Sequence, residues 1–579
     1  MRLEDYWGVG PKTSERLADA LGVEAAVGAI ESADIRALVE AGVSRGRAVR
    51  VLRRANGDAR MELLATGDVR DVYDDLLSLA SEYALTRHAA DRIRVLTPLP
   101  SRDAQEERLD EVLSARDAWT RLDDGAREEV VAAFESYDEA GGTRRAAVEA
   151  ALALREAGLR GGSFAALDDV DGEALRAAAD ALRDLDDGEV APGADDELDR
   201  ARERRDGVRE LENSAFDVLE EIRSRGVRDL TAFQSAFAEY VARETDLTRG
   251  EVEAAAEDDA RDAADFVSAS LRSLLADLEA DVEERERAVR ADLEADVDAA
   301  REDVEAAVAA ADDIAFLLSL GRSAAVYDLT RPAYAPDGLV VEGARNLTLA
   351  GDVQPVTYAV GDHDLRTAAP APPTGDRVTV LTGANSGGKT TLLETLCQVT
   401  LLAAMGLPVP AERAAVGRFD AVVFHRRHAS FNAGVLESTL KTIVPPLTRD
   451  GRTLMLVDEF EAITEPGRAA DLLNGLVDLT VDRGALGVYV THLADELSPL
   501  PEAARIDGIF AEGLTQDLEL EVDYQPRFGT VGKSTPEFIV SRLVANARDR
   551  TERQGFEALA AAVGEEAVQR TLSDARWQS

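Results

Sequence analysis

A chain of 579 residues that is 45% apolar has the material for about three or four domains with real cores. Its formal charge of −47 argues against a generally nucleic-acid-binding surface, one cysteine (Cys397) excludes intramolecular disulfides, and five scattered histidines offer no metal-ligand spacing. No apolar stretch approaches the length of a membrane span and no leader-like start is present, so a cytoplasmic protein without a membrane partner is expected.

The charge is uneven. Residues 1–60 hold ten Lys and Arg against nine Asp and Glu, a net +1 that leaves −48 on the other 519 residues. Only four residues are lysines (Lys12, Lys389, Lys441, Lys533), and 112 acids face 65 bases. Such a carboxylate-rich surface resembles that of halophilic proteins, whose self-repulsion concentrated salt screens.

Near the start, Gly8-Val9-Gly10-Pro11-Lys12-Thr13 separates two short helical patterns, and Ala41-Gly42-Val43-Ser44-Arg45-Gly46-Arg47 does so again. Each resembles the hairpin of a helix-hairpin-helix DNA-binding module, in which a Gly-rich turn offers backbone N–H groups and the next helix start to a phosphate, without reading sequence. On that reading Gly8, Gly10, Lys12, Thr13, Arg45, Arg47 and Arg50 meet the DNA backbone, with Arg53 adding charge. The other reading is a pair of helical hairpins that use glycine only as a cap.

From about Leu63 to Leu320 the pattern is helical, punctuated at Gly141-Gly142, Gly161-Gly162 and Pro192-Gly193. Glu251 to Leu320 contains neither Gly nor Pro, and Leu271, Leu275, Leu278, Val282, Val289 and Leu293 recur at spacings of three, four and seven. A continuous helix there would run about 105 Å and would need a partner. Arg200 to Arg225 and Leu230 to Arg243 offer the return limb of an antiparallel pair.

Thr382 to Thr390 reads T-G-A-N-S-G-G-K-T, between the apolar strand Val378 to Leu381 and a helical pattern opening at Thr391. This is the context of a phosphate-binding loop. Gly383, Gly387 and Gly388 let the backbone approach a polyphosphate, with Asn385 and Thr391 in the same cradle. Lys389 reaches the β- and γ-phosphates, and Thr390 offers its hydroxyl to Mg²⁺. The run Leu454-Met455-Leu456-Val457 then delivers Asp458 and Glu459 to a strand end, Asp458 to hold the metal and Glu459 to polarise the attacking water. A third strand, Gly487 to Val490, ends in Thr491 and His492. His492 reads either as a loop histidine or as a sensor of the γ-phosphate.

In this order the motifs resemble those of the MutS ATPases. T-G-A-N-S-G-G-K-T is similar to that family's phosphate loop, Gly343-Ala344-Arg345-Asn346 to the motif that opens its ATPase domain, Ala403 to Pro410 to its following helix and loop, and Gly529 to Ser534 to its closing segment. Asp313 to Leu320, followed by Arg331-Pro332, resembles the descending lever helix. The resemblance implies ATP and Mg²⁺ as cofactors and a homodimer in which each nucleotide is completed by the other subunit. Phe431, Asn432, Gly434 and Glu437 to Leu440 align with the stretch carrying the trans-acting serine, here Ser438. The chain departs from the family at Leu440, at Ile443 and after Glu459, where Phe460 to Gly467 replaces a G-R-G-T run.

The implied fold is an α/β P-loop ATPase domain with an ABC-type sheet, joined to a mostly α-helical core with long antiparallel coiled-coil lever arms and a small all-α N-terminal domain. The expected layout is a helix-hairpin-helix domain at 1–60, helical core at 61–195, arms at 196–320, ATPase at 321–545 and a helical tail at 546–579. The mismatch-reading domain has no counterpart, since Phe237-Ala238-Glu239 lies within a helical tract, and nothing resembles the small nuclease domain of some relatives, so no nuclease is expected. The expected function is an ATP-dependent, nucleoid-associated clamp on mismatched, damaged or branched DNA, acting in repair or recombination. A structural chromosome ATPase of the SMC kind is the alternative, but such proteins carry L-S-G-G where this chain has Gly434 to Leu440.

Overall fold

A computed structural model describes the chain except residues 1–2, 7, 32, 187, 228, 257–259, 352, 366–370, 384–387, 428–432, 460–465, 498, 515–519, 533–535, 565–567 and 569–579. The fold is mixed α/β and divides into two compact units, Met1–Phe134 with Asp312–Ser579, and Glu135–Ala311.

The first unit begins with α1 (Pro11–Leu21), α2 (Val23–Glu31), α3 (Ile35–Glu40) and α4 (Arg45–Gly57), which close over Leu17, Ile30, Ile35, Leu38, Val51 and Leu52. Pro11 sits in the first turn of α1, and the Asp34 carboxylate caps α3 by accepting from Ala37 N at 2.9 Å. Gly8 and Gly42 turn the chain with φ of 82° and 84°. The two hairpins lock reciprocally, since Arg16 donates to the Gly42 carbonyl at 2.8 Å and Arg47 to the Gly8 carbonyl at 3.2 Å. Next come α5 (Gly67–Ser81), α6 (Arg87–Arg94), α7 (Arg102–Arg121) and α8 (Asp124–Glu139).

The second unit is helical apart from the small pair β1 (Leu185–Asp186) and β2 (Glu189–Val190). Its helices are α9 (Arg144–Glu156), α10 (Gly172–Asp184), α11 (Asp196–Asn213), α12 (Ala215–Ser224), α13 (Leu230–Glu244), α14 (Arg249–Ala254), α15 (Ala263–Ala299) and the first part of α16 (Arg301–Val326). The apolar seam of α15 packs on α11 in antiparallel sense. Leu198 shares a cluster with Val282 and Val289, whereas Val208 and Leu211 lie with Leu271, Leu274 and Leu278. Arg285 pairs with Asp195 at 2.7 Å and Arg209 with Glu279 at 2.7 Å along the same seam.

The unbroken helix expected from Glu251 to Leu320 is therefore corrected. The structure divides it into α14, α15 and α16, so the longest piece has 37 residues, about 55 Å. The first break falls beside five acids between Glu257 and Asp265. Asp262 starts the next helix, capping α15 by accepting from Ala264 N and Asp265 N at 2.9 Å. The second break is at Ala300, which leaves helical geometry at φ −103°, ψ 19°.

In the first unit the strands follow: β3 (Ala333–Tyr334), β4 (Leu339–Ala344), β5 (Val356–Val360), β6 (Val378–Gly383), β7 (Arg413–Val416), β8 (Ala421–His425), β9 (Thr453–Asp458), β10 (Leu486–Val490), β11 (Ala504–Leu514) and β12 (Leu520–Arg527). Among the described residues β12-β11-β6-β10-β9-β8 form one sheet, parallel throughout except for the β11–β12 pair, and β3-β7-β4-β5 form another. β6, β9 and β10 are buried at every position, as strands of a parallel sheet covered on both faces require. The covering helices are α17 (Lys389–Ala404), α18 (Ala433–Thr448) and α19 (Pro466–Asp482), and α20 (Pro536–Ala545) and α21 (Arg550–Val563) follow.

Candidate nucleotide site

Register builds the site. β10 lies between β6 and β9, pairing Val490 with both Leu381 and Asp458. The residues just past these positions, Gly383, Glu459 and His492, therefore converge at one carboxyl edge, where open α/β sheets bind ligands. Gly383 turns the chain at φ 131°, where a Cβ would come within 2.2 Å of the Ile509 carbonyl oxygen. Gly388 starts α17 in the left-handed region at φ 68°, and a Cβ there would stand 2.7 Å from the Tyr524 ring. Asn385 and Gly387 lie outside the described residues.

Lys389 is buried, with Nζ donating to the Gly383 carbonyl at 2.8 Å. The Thr390 hydroxyl donates to Asp458 Oδ2 at 2.5 Å. Asp458 is 2% exposed, and among the described residues its Oδ1 has no hydrogen-bond partner. Burial pushes the carboxyl above its ordinary range, and Glu459 adds to this, while the Thr390 bond and the Lys389 charge oppose it. A buried carboxylate oxygen left unsatisfied beside a hydroxyl fits a divalent cation. Thr390 and Asp458 would hold Mg²⁺ there, which when bound would neutralise phosphate charge.

Glu459 takes a left-handed φ of 42°, a conformation costly for a side-chain-bearing residue. Its N–H is anchored on the Val490 carbonyl at 3.0 Å. The carboxylate is held at both ends, Oε1 by His492 Nε2 at 2.8 Å and Oε2 by Arg427 at 2.6 Å. Burial alone would raise its pKa, but the His492 hydrogen bond and the charges of His492, Arg427 and Lys389 outweigh this and hold it below the ordinary value. The result is an ionised acceptor kept close to a buried lysine. Arg427 carried no motif and was missed in the sequence; its position one residue beyond Arg426 at the end of β8, next to β9, is what brings it in.

A cavity of about 480 Å³ opens beside the loop, lined by Asn346, Gly388, Lys389, Thr390, Thr391 and Tyr524 among others. Asn346 is itself fixed, its Oδ1 accepting from Thr348 N at 2.9 Å and Gln398 Nε2 at 3.1 Å. The Gly343 to Asn346 motif therefore packs against the loop helix, and Tyr524 supplies an aromatic wall that the sequence reading did not identify.

The remaining expected residues lie elsewhere. Ser438 is exposed on α18 and does not line this cavity, while Phe431 and Asn432 lie outside the described residues. In the hairpins Lys12 and Arg50 are exposed and Thr13 is buried. Arg45 pairs with Asp91, and Arg47 is engaged with Gly8, so both already have protein partners. Lys533 and Ser534 of the closing segment lie outside the described residues, but Gly532 N donates to Thr382 Oγ1 at 2.6 Å, placing that segment against the loop strand.

No family model matches the chain. Among curated proteins, "DNA-binding protein MutS2" of Pyrococcus furiosus is 42% identical over 223 residues, 38% of this chain and 39% of that protein. Over that stretch the chain is similar to proteins named MutS2 and MutS. "DNA mismatch repair protein MutS" of Natronomonas pharaonis is 30% identical over 227 residues, 38% of this chain and 25% of that protein. "Endonuclease MutS2" of Solidesulfovibrio magneticus is 38% identical over 121 residues, 20% of this chain and 16% of that protein. The chain thus spans well under half the length of these MutS relatives. No helix among the described residues is long and apolar enough to cross a membrane.

Proposed function

We propose that this protein is an Mg²⁺-dependent ATPase that uses nucleotide to control a homodimeric, sequence-independent clamp on DNA, serving repair or recombination in the nucleoid. One observation carries the reading: Lys389, the Thr390–Asp458 pair and the Glu459–His492 pair meet at one sheet edge within a MutS-like region. Lys389 draws in the phosphates, Thr390 and Asp458 seat the metal, and Glu459 orients and deprotonates the water. His492 holds Glu459 in place until a nucleotide gives its ring another partner. Ser438 acts on the partner's nucleotide, in keeping with its exposure and its absence from the cavity of its own subunit.

In this proposal the P-loop sheet is the engine, the antiparallel helices of the second unit are the arms, and the paired hairpins at 1–60 grip the backbone. Two relatives carry DNA binding or mismatch repair in their names, in line with this assignment. The word endonuclease in a third belongs to a protein of which this chain covers 16%, and strand cutting is not part of the proposal. Because the nucleotide lies between subunits, its turnover shifts the dimer between clamped and released states. Gel-shift competition among mismatched, branched and plain duplex DNA at high potassium, with and without Mg-ATP, tests the reading. Nucleotide-dependent retention is expected, with branched or mismatched DNA preferred; no binding to any of the three would refute it.

A further inference from the structure

Arg427 enters the nucleotide site from just past β8, outside every motif of the phosphate loop. β8 runs parallel to β9 with His425 paired to Val457, so two residues further on Arg427 stands level with Glu459. Consecutive side chains of an extended segment point opposite ways, and the two neighbouring arginines separate accordingly. Arg426 turns to Glu394 on α17 at 3.3 Å, with its guanidinium 5.3 Å from the centre of the Phe424 ring, whereas Arg427 meets Glu459 Oε2 through Nη1 at 2.6 Å. The backbone N–H of Arg427 also donates to the Asp458 carboxylate. One residue thus touches both acids at the end of β9.

The contact is asymmetric. The Glu459 side chain is 8% exposed and its oxygens are taken by His492 and Arg427, while the Arg427 side chain stays 53% exposed. Its backbone is fixed on Asp458 and its Nη1 on Glu459, so the solvent-facing part of a rigid five-donor fork is what a ligand can reach. So exposed a pair contributes little to the stability of the fold, and its consequence lies in the site.

The position of Glu459 indicates what those donors meet. A general base lies within about 2.6–3.2 Å of the attacking water, and the water within about 3–3.5 Å of the atom attacked, so a guanidinium bonded to the base sits on the side of the terminal phosphate. An ionised Glu459 facing that phosphate sets two negative groups against each other. Two permanent cations act on Glu459 through their charge, Lys389 following β6 on one side of the sheet order and Arg427 following β8 on the other. We infer that Arg427 is a specificity-determining residue, which binds the terminal phosphate of ATP with the N–H groups that Glu459 does not use and so holds a triphosphate more tightly than a diphosphate. The inference rests on the ATPase reading above and deepens it by assigning discrimination of the third phosphate to a residue of the same subunit.

The test compares equilibrium binding of a fluorescent non-hydrolysable ATP analogue and of fluorescent ADP, both with Mg²⁺, to the full chain and to its Arg427→Ala and Arg427→Gln variants. The Arg427 side chain is half exposed, so both variants should fold, which circular dichroism verifies. Loss of one charge-assisted contact should weaken binding of the ATP analogue about tenfold or more and leave ADP within about threefold. The ratio of the two affinities is the readout, because a residue that only steadied Glu459 would lower turnover without changing it. An unchanged ratio, or an equal loss for both nucleotides, overturns the inference and leaves the ATPase reading standing. If the wild-type chain binds neither nucleotide, both fail.

Discussion

Replacing Glu459 with Gln changes one atom and removes the charge around which the site is arranged. The side chain is 7% exposed and held between His492 and Arg427, so the amide keeps its position while losing its ability to accept a proton. General-base catalysis is worth about 10²–10⁴ in rate, roughly 3–5 kcal/mol of barrier, and steady-state phosphate release should fall by that factor. In the proposed mechanism nucleotide binding rests on Lys389 and Thr390, so affinity measured with a fluorescent ATP analogue should stay within about threefold. The pH profile gives a second check. Because His492, Arg427 and Lys389 hold the Glu459 pKa down in the nucleotide-free protein, the carboxylate there remains ionised below its usual titration, and the acid limb of wild-type kcat/KM, which reports the free enzyme, should lie below the ordinary glutamate range. His492→Ala should move that limb upward, with folding at each pH verified by circular dichroism. Turnover of Glu459→Gln equal to wild type would refute the assignment of the base.

Lys389→Ala should abolish detectable ATP binding while far-ultraviolet circular dichroism is unchanged; unchanged affinity would mean the loop has been misread. Asp507→Ala tests the buried network beneath the loop strand, where Asp507 is 0% exposed and accepts from Arg505 Nε at 3.0 Å, Tyr358 at 2.9 Å and Gly529 N at 3.0 Å. Leaving Arg505 buried without that carboxylate should cost about 3–5 kcal/mol in urea unfolding, and a loss below about 1 kcal/mol would show that the pair is not holding β11. Mixing Ser438→Ala subunits with Lys389→Ala subunits should leave activity at only one of the two kinds of composite site, whereas rates that simply average the two parents would rule out a serine acting across the dimer.

The clustering of the candidate site residues was legible because its parts are local. A glycine-rich loop between an apolar strand and a helix, and carboxylates after Leu454 to Val457, carry their context within ten residues, and the structure brings Lys389, Thr390, Asp458, Glu459 and His492 together. What the sequence hid depends on register across distant strands. Arg427 gives no signal until β8 lies beside β9, and Arg505 and Asp507 look like surface charges until β11 is seen paired on both sides, with β6 and β12. The helices of the second unit were legible as an antiparallel apolar seam but not in their length. An absence of Gly and Pro does not guarantee continuity where Asp262 prefers a cap and acids crowd the same turns. Arg45 and Arg47 were read as DNA-facing from the resemblance of their turn to a helix-hairpin-helix, and the ion pair with Asp91 and the bond to Gly8 appear only when the hairpins pack.

The central claim is that nucleotide governs enclosure of DNA by a paired, two-armed molecule, and retention on closed circular DNA tests it most directly. Protein loaded with Mg-ATP in its Glu459→Gln form, then washed at high potassium chloride, should stay on circular plasmid and be released when the plasmid is cut once. Equal retention on circular and linear DNA, or retention indifferent to nucleotide, would contradict the account.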